Sequence, residues 1–207
     1  MDEYARIAPL YDTVVGPFLR PVHAALVEAL RAVAGDGPVV DLCCGTGVVA
    51  GMVARTGREA IGVDLSPAML DRARARHGGA RFLLGDATAT GLAGGAFAGC
   101  VISFALHEKP PETGLAMLAE ARRLVVPGGA ILVADYRVVR GAWLTGLAIT
   151  LVERLAGRAH HDCFSRYMAG GGSGPFLRRA GLAAGPAPGA LRTRFMGGWV
   201  GLYQAVV

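Results

Sequence analysis

The sequence predicts an α/β fold built on a doubly wound, mostly parallel sheet with helices on both faces. Three observations carry this. Short β-branched or apolar runs alternate with stretches of helical spacing from Val39 to Tyr136. Three of these runs end at or just before an acid, Asp41, Asp64 and Asp86, at nearly equal intervals. The first acid is followed by a glycine turn, Gly45-Thr46-Gly47, that opens a helix.

In chain order, the first segment carries Tyr4, Ile7, Ala8 and Tyr11 at helical spacing, a break near Gly16-Pro17, and a helix from Pro21 to Ala34. The run VVDLCCGTG then gives a strand, a turn and the start of a helix reaching Arg55. Glycines there let a ligand approach the backbone, and amides at a helix start favour polar or anionic groups, so a nucleotide-like ligand is expected. Ala60 to Asp64 reads as a second buried strand, and Ser66-Pro67 caps a helix to about His77. A third strand runs from Arg81 toward Asp86, a fourth from Cys100 to Ala105, and a fifth from Ala130 to Tyr136 after a helix begun by Pro110-Pro111. Gly141 to Leu155 is apolar at helical spacing, with Trp143, Leu147, Leu151 and Leu155 on one face, and Trp199 to Val207 suits a central strand. Parallel sheets bind ligands at the carboxyl ends of their strands, so the three acids mark the site.

Composition narrows the function classes. The 207 residues are 53% hydrophobic and 18% charged, which suits one compact domain, 1–207. The formal charge of +5 comes almost wholly from scattered arginines without interleaved aromatics, so no nucleic-acid partner is expected. No apolar run reaches the ~20 residues that cross a bilayer, so no integral membrane span is expected. Cys43, Cys44, Cys100 and Cys163 form no C-x-x-C pair and no secretory signal is visible, which fits a reducing, cytoplasmic setting with the cysteines as packing groups. Adjacent His160 and His161 point apart on a helix or a strand, so with Asp162 they make a poor metal set and none is assigned.

An acid at the second strand end suits a ribose diol, because a carboxylate accepts from both hydroxyls. On the glycine turn and that acid alone, a nicotinamide dinucleotide remains as open as any other nucleotide. The order VVDLCCGTG, IGVDLSPAML, LLGDA, VISFALHE and LVVPGGAILVADY resembles the class I S-adenosylmethionine (SAM)-dependent methyltransferases over about half the chain. YARIAPLYD, ISF and FMGGWVGLY are most similar to the ubiquinone/menaquinone-biosynthesis C-methyltransferase family, of the methyltransferase type 11 kind.

The resemblance implies a Rossmann-like, seven-stranded sheet with an antiparallel last strand, SAM as cofactor and S-adenosylhomocysteine as product. It implies cofactor contacts at Asp41, Gly45, Thr46, Gly47, Asp64, Leu65, Met69, Asp86, Ala87 and Ser103. A small hydrophobic, aromatic or quinol-like acceptor is then expected, because the Pro-Pro-aromatic element of nucleic-acid and protein-amide methyltransferases is replaced by SFALHE. Where the quinone family has an Arg-Asn pair this chain has His107-Glu108, and His107 is the candidate base for an acceptor proton. Residues 1–36 read as an N-terminal helical flap or a docking helix, and 137–180 as a substrate-side insertion, so Tyr4, Tyr11, Trp143 and His161 join His107 as candidate substrate contacts. The broad apolar face of 141–155 suits a lid over a lipophilic acceptor, a homodimer interface or deeper burial under the N-terminal helices; the chain is expected to be a monomer or homodimer, with peripheral membrane contact open for a lipophilic substrate. The alternatives are an NAD-dependent oxidoreductase and a SAM-binding module without catalysis.

Overall fold

The structure, a computed structural model, describes residues 16–139, 141–182 and 190–207. Tyr4 and Tyr11, and with them the first part of the expected flap, lie outside the described residues.

Seven strands form one sheet: β1 (Val39–Leu42), β2 (Ala60–Asp64), β3 (Arg81–Leu84), β4 (Phe97–Ser103), β5 (Val125–Tyr136), β6 (Ala190–Phe195) and β7 (Val200–Val206). Their order is β3-β2-β1-β4-β5-β7-β6. β1 to β5 pair in parallel, and β7 runs antiparallel between β5 and β6. The expected α/β sheet with an antiparallel last strand is therefore present. Val39, Val40 and Leu42, and Cys100 to Ile102, are buried, as befits parallel strands covered by helices on both faces.

The helices are α1 (Gly16–Val33), α2 (Val48–Ala54), α3 (Pro67–Arg76), α4 (Pro111–Leu124), α5 (Trp143–Leu155), α6 (Arg158–Ala169) and α7 (Ser173–Arg179). α1 is one helix with Pro21 inside it, where the sequence suggested a start at Pro21. Its buried face of Leu19, Val22, Leu26 and Leu30 spans the whole length, so packing overrides the local break signal. Ser66 caps α3 as expected, its Oγ accepting from the Met69 amide at 3.2 Å.

Trp143, Leu147, Leu151 and Leu155 share one apolar face of α5, as their spacing predicts. That face points to solvent, with Leu147 62% exposed, while Gly146, Ile149 and Glu153 turn inward. Trp199 explains this: its ring packs where a side chain at position 146 would stand, and its Nε1 donates to the Ala142 carbonyl at 3.1 Å. α5 is thus oriented by a close approach at glycine and by a buried acid rather than by its most apolar stripe.

Candidate active site

The carboxyl ends of β1, β2 and β4 open into a cavity of about 880 Å3. Asp41, Gly45, Thr46, Asp64, Leu65, Met69, Asp86, Ala87 and Ser103 all line it, so nine of the ten expected cofactor positions are brought together. Gly47 is the exception. A Cβ at Gly47 would come within 2.6 Å of the Phe82 ring and 2.8 Å of Ala73, so this glycine allows the turn to pack against β3 and α3. At Gly45, φ is +53° and an added Cβ would meet nothing within 4 Å, so its open side belongs to the cavity.

The acids are held by backbone amides. Asp64 accepts from the Gly45 amide at 2.8 Å and from the Ser66 amide at 2.9 Å, which ties the end of β2 to the glycine turn of β1. Burial raises the Asp64 pKa while these two amides lower it. Asp41 is buried, accepts from the Ala50 amide at 3.2 Å, and is pushed up to about 7 by burial, with the amide opposing. Asp86 lies beyond the end of β3 and accepts from the Thr88 amide and hydroxyl, each at 2.8 Å, so its loop is fixed by an Asx turn.

Two residues at the strand ends, Cys43 (φ 58°) and Phe104 (φ 53°), occupy the left-handed region that non-glycine residues rarely adopt. Both line the cavity, where backbone strain commonly collects at functional sites. Burial pushes both the Cys43 and Cys44 thiols far up, so neither is a nucleophile, in line with a packing role.

Ser103 is informative in another way. Its Oγ is buried and makes no hydrogen bond among the described residues, a costly arrangement for a hydroxyl unless a ligand completes it. This orphaned hydroxyl, the open side of Gly45 and two strand-end carboxylates suit a ligand with ribose-like hydroxyls and an amino-acid end.

The expected substrate contacts are placed differently. His107, Trp143 and His161 do not line the cavity, and no described residue of 137–180 does. Trp143 is 70% exposed on the outer face of α5, and His161 turns toward Arg154, whose Nε lies 3.4 Å from its Nε2. His107 is buried beneath α6, its ring 4.7 Å from that of Tyr136 and 6.2 Å from Phe164. Its Nδ1 lies 2.7 Å from Asp135, and its Nε2 faces Glu153 at 3.6 Å. Burial lowers the His107 pKa, but Asp135 and then Glu153 raise it, to about 9 overall. With Asp135 on one ring nitrogen and Glu153 facing the other, His107 is not among the groups that the cavity presents to an acceptor proton.

The cavity instead carries residues that sequence reading passed over. Pro17, Leu19, Arg20 and His23 reach it from α1, opposite Phe104 and Ala105. The His23 and Phe104 rings meet edge-on at 6.4 Å. Burial lowers the His23 pKa to about 4, which leaves a neutral imidazole in the wall. Only helical spacing was visible in this stretch; which of its side chains turn to the cavity depends on how α1 docks.

Residues 39–129 match the methyltransferase domain family. The chain is 32% identical over 132 residues to an uncharacterized methyltransferase of Synechocystis, covering 64% of this chain and 61% of that protein. It is 34% identical over 145 residues to the 2-phytyl-1,4-naphtoquinone methyltransferase of Thermosynechococcus vestitus, covering 64% and 62%. The chain thus spans about three fifths of the length of these curated relatives. The solved structure of an O-methyltransferase family protein from Burkholderia thailandensis shares the fold, with a TM-score of 0.69 at 22% identity over 97% of this chain and 59% of that one. The matching domain lies on the very strands that build the cavity, so the similarity to methyltransferases falls on the candidate site itself.

Proposed function

We propose that the protein transfers the methyl group of SAM to a small, hydrophobic acceptor of aromatic or quinol type. The observation that carries this is one cavity lined by two unlike sets of groups. Asp64, Asp86 and the orphaned Ser103 hydroxyl make its polar lining, and Leu19, Phe104 and Ala105, with His23, make an apolar wall.

Among the polar groups, Asp64 would hold the ribose hydroxyls, since its two amide bonds fix the carboxylate and leave lone pairs for a ligand. Leu65 and Met69 would flank the adenine, with Asp86 and Ala87 at its edge. Gly45 and Thr46 would receive the methionine part, and Asp41 its amino group. Bound SAM supplies a methyl group on a sulfonium, a leaving group that is already activated. The chain's own task is then positioning and exclusion of water, which can supply much of the rate. The apolar wall of α1 and Phe104 suits a flat, apolar acceptor, and the neutral His23 imidazole is available to accept a hydrogen bond from an acceptor hydroxyl. The named activity of the naphthoquinone-methylating relative favours the same acceptor class.

The nicotinamide alternative gives way to the methyltransferase domain match and to the antiparallel β7, which the all-parallel dinucleotide sheet lacks. Incubation with methyl-labelled SAM and a cell extract tests the proposal. Label is expected in the small-molecule or lipid fraction. Label confined to protein or RNA would overturn the acceptor class, and SAM binding without any turnover would favour the non-catalytic module. Among the described residues no helix is long and apolar enough to cross a membrane.

A further inference from the structure

Behind the cavity wall, three separate segments bring ionisable side chains to one point. His107 and Glu108 come from the turn after β4, Glu153 from the inner face of α5, and His160 from the first turn of α6. The ligand atoms of His107, Glu108 and His160 all lie within 4.8 Å of one another. Glu153 Oε2 stands 2.5 Å from His160 Nε2 and 3.6 Å from His107 Nε2, the second distance too long for a hydrogen bond.

We propose that His107, Glu108 and His160, with Glu153, form a binding site for a divalent first-row transition metal, with Zn2+ the best match. Two imidazoles with carboxylates are the donor set of zinc and its neighbours rather than of magnesium or calcium, which prefer oxygen alone. Donors of a tetrahedral zinc site stand about 3.4 Å apart at Zn–N distances of about 2.1 Å, so side-chain shifts on the order of 1 Å complete the set.

Two further observations support an ion here. His107 is held through its other ring nitrogen by Asp135 at 2.7 Å, and Asp135 also accepts from the amides of Leu106 and Tyr136 at 2.9 and 2.7 Å. A carboxylate that orients the far nitrogen of a histidine is the usual outer support of a metal ligand. Charge is the second. The side chains of His107, Asp135 and Glu153 are 4%, 0% and 5% exposed, and Glu108 adds a third carboxylate beside the two imidazoles, with Lys109 3.7 Å from it. Buried carboxylates cost several kcal/mol unless compensated, and a dication would contribute to that compensation.

The sequence argument against a metal at His160-His161 holds for that pair: His161 diverges to Arg154, and the partners of His160 come from elsewhere in the chain. Glu108 also lines the cavity, so an ion it ligates would sit in the cavity wall with a position open to a ligand. If methyl transfer is the activity, that position would hold an acceptor oxygen; this role rests on the proposed function, whereas the metal site does not.

The test uses the full chain, stripped with a chelator and then titrated with Co2+ as a spectroscopic probe and with Zn2+ in competition. One ion per chain is expected, with the visible d–d bands of a low-coordinate Co2+ site that Zn2+ abolishes. His160→Ala and Glu108→Gln are each expected to weaken binding at least about tenfold, the scale on which supporting groups act, whereas His161→Ala leaves it unchanged. Circular dichroism of each variant separates lost ligation from lost folding. Absence of stoichiometric uptake, or equal affinity in the wild type and His160→Ala, overturns the site and leaves a purely protonic network. Calorimetry with SAM on the stripped protein keeps the two proposals apart, because SAM binding and metal binding can fail separately.

Discussion

The Gly45 amide donates to the Asp64 carboxylate at 2.8 Å, so the acid that ends β2 also braces the glycine turn that follows β1. Asp64 therefore serves two ends: one carboxylate shapes the turn and faces the cavity. Asp64→Ala is expected to weaken SAM binding by more than one hydrogen bond is worth, about a hundredfold, since a charge-assisted pair and the turn geometry go together. Asp64→Asn keeps an acceptor for one amide and should lose less. Calorimetry of both variants checks this, and equal losses would show that the turn does not depend on Asp64.

That double role marks what was legible in the sequence. Asp41 and Asp64 lie in the last residues of β1 and β2, Gly45 and Asp86 just beyond β1 and β3, and in a parallel sheet the strand end alone puts a residue at the site. Which face of a helix turns inward is harder to read. Leu147 and Leu151 share the apolar face of α5 that their spacing predicts, yet it is Glu153 that faces in, because His107 and His160 meet it. Gly47 was assigned to the cofactor through the resemblance, together with Gly45; the Phe82 ring for which its missing Cβ leaves room is far away in sequence.

The two glycines should separate in experiment. Gly47→Ala combines a left-handed φ of 76° with a Cβ 2.6 Å from Phe82, so a loss of about 2–4 kcal/mol in stability is expected. Gly45→Ala bears the backbone strain alone, about 1 kcal/mol, while its methyl group projects beside the cavity and lowers SAM affinity. Thermal unfolding without ligand, followed by SAM titration, reads the two effects in turn.

Ser103→Ala should act in the opposite sense on the two measurements. Removing a buried hydroxyl that has no partner among the described residues relieves a desolvation cost, so the ligand-free protein is expected to melt at the same or a higher temperature. The stabilisation added by SAM should shrink, with affinity reduced about two- to tenfold, the worth of one neutral hydrogen bond. A fall in the ligand-free melting temperature would mean that the hydroxyl supports the fold.

His23 provides a pH test of the α1 wall. Its pKa is about 4 in the folded chain against 6.5 ordinarily, because burial disfavours the imidazolium. Between these values the unfolded chain binds a proton that the folded chain does not, so stability falls as pH drops from 6.5 toward 4 and this contribution is complete below 4. The loss is on the order of 2 kcal/mol once solvent screening at a half-buried side chain is allowed for. His23→Gln removes the titration and should flatten the stability profile between those pH values while leaving stability at pH 8 little changed. Denaturant unfolding of both proteins at pH 8, 6 and 4.5 measures it. Parallel profiles for wild type and variant would mean that His23 is as solvated in the folded chain as in the unfolded one, and that α1 does not close the cavity there.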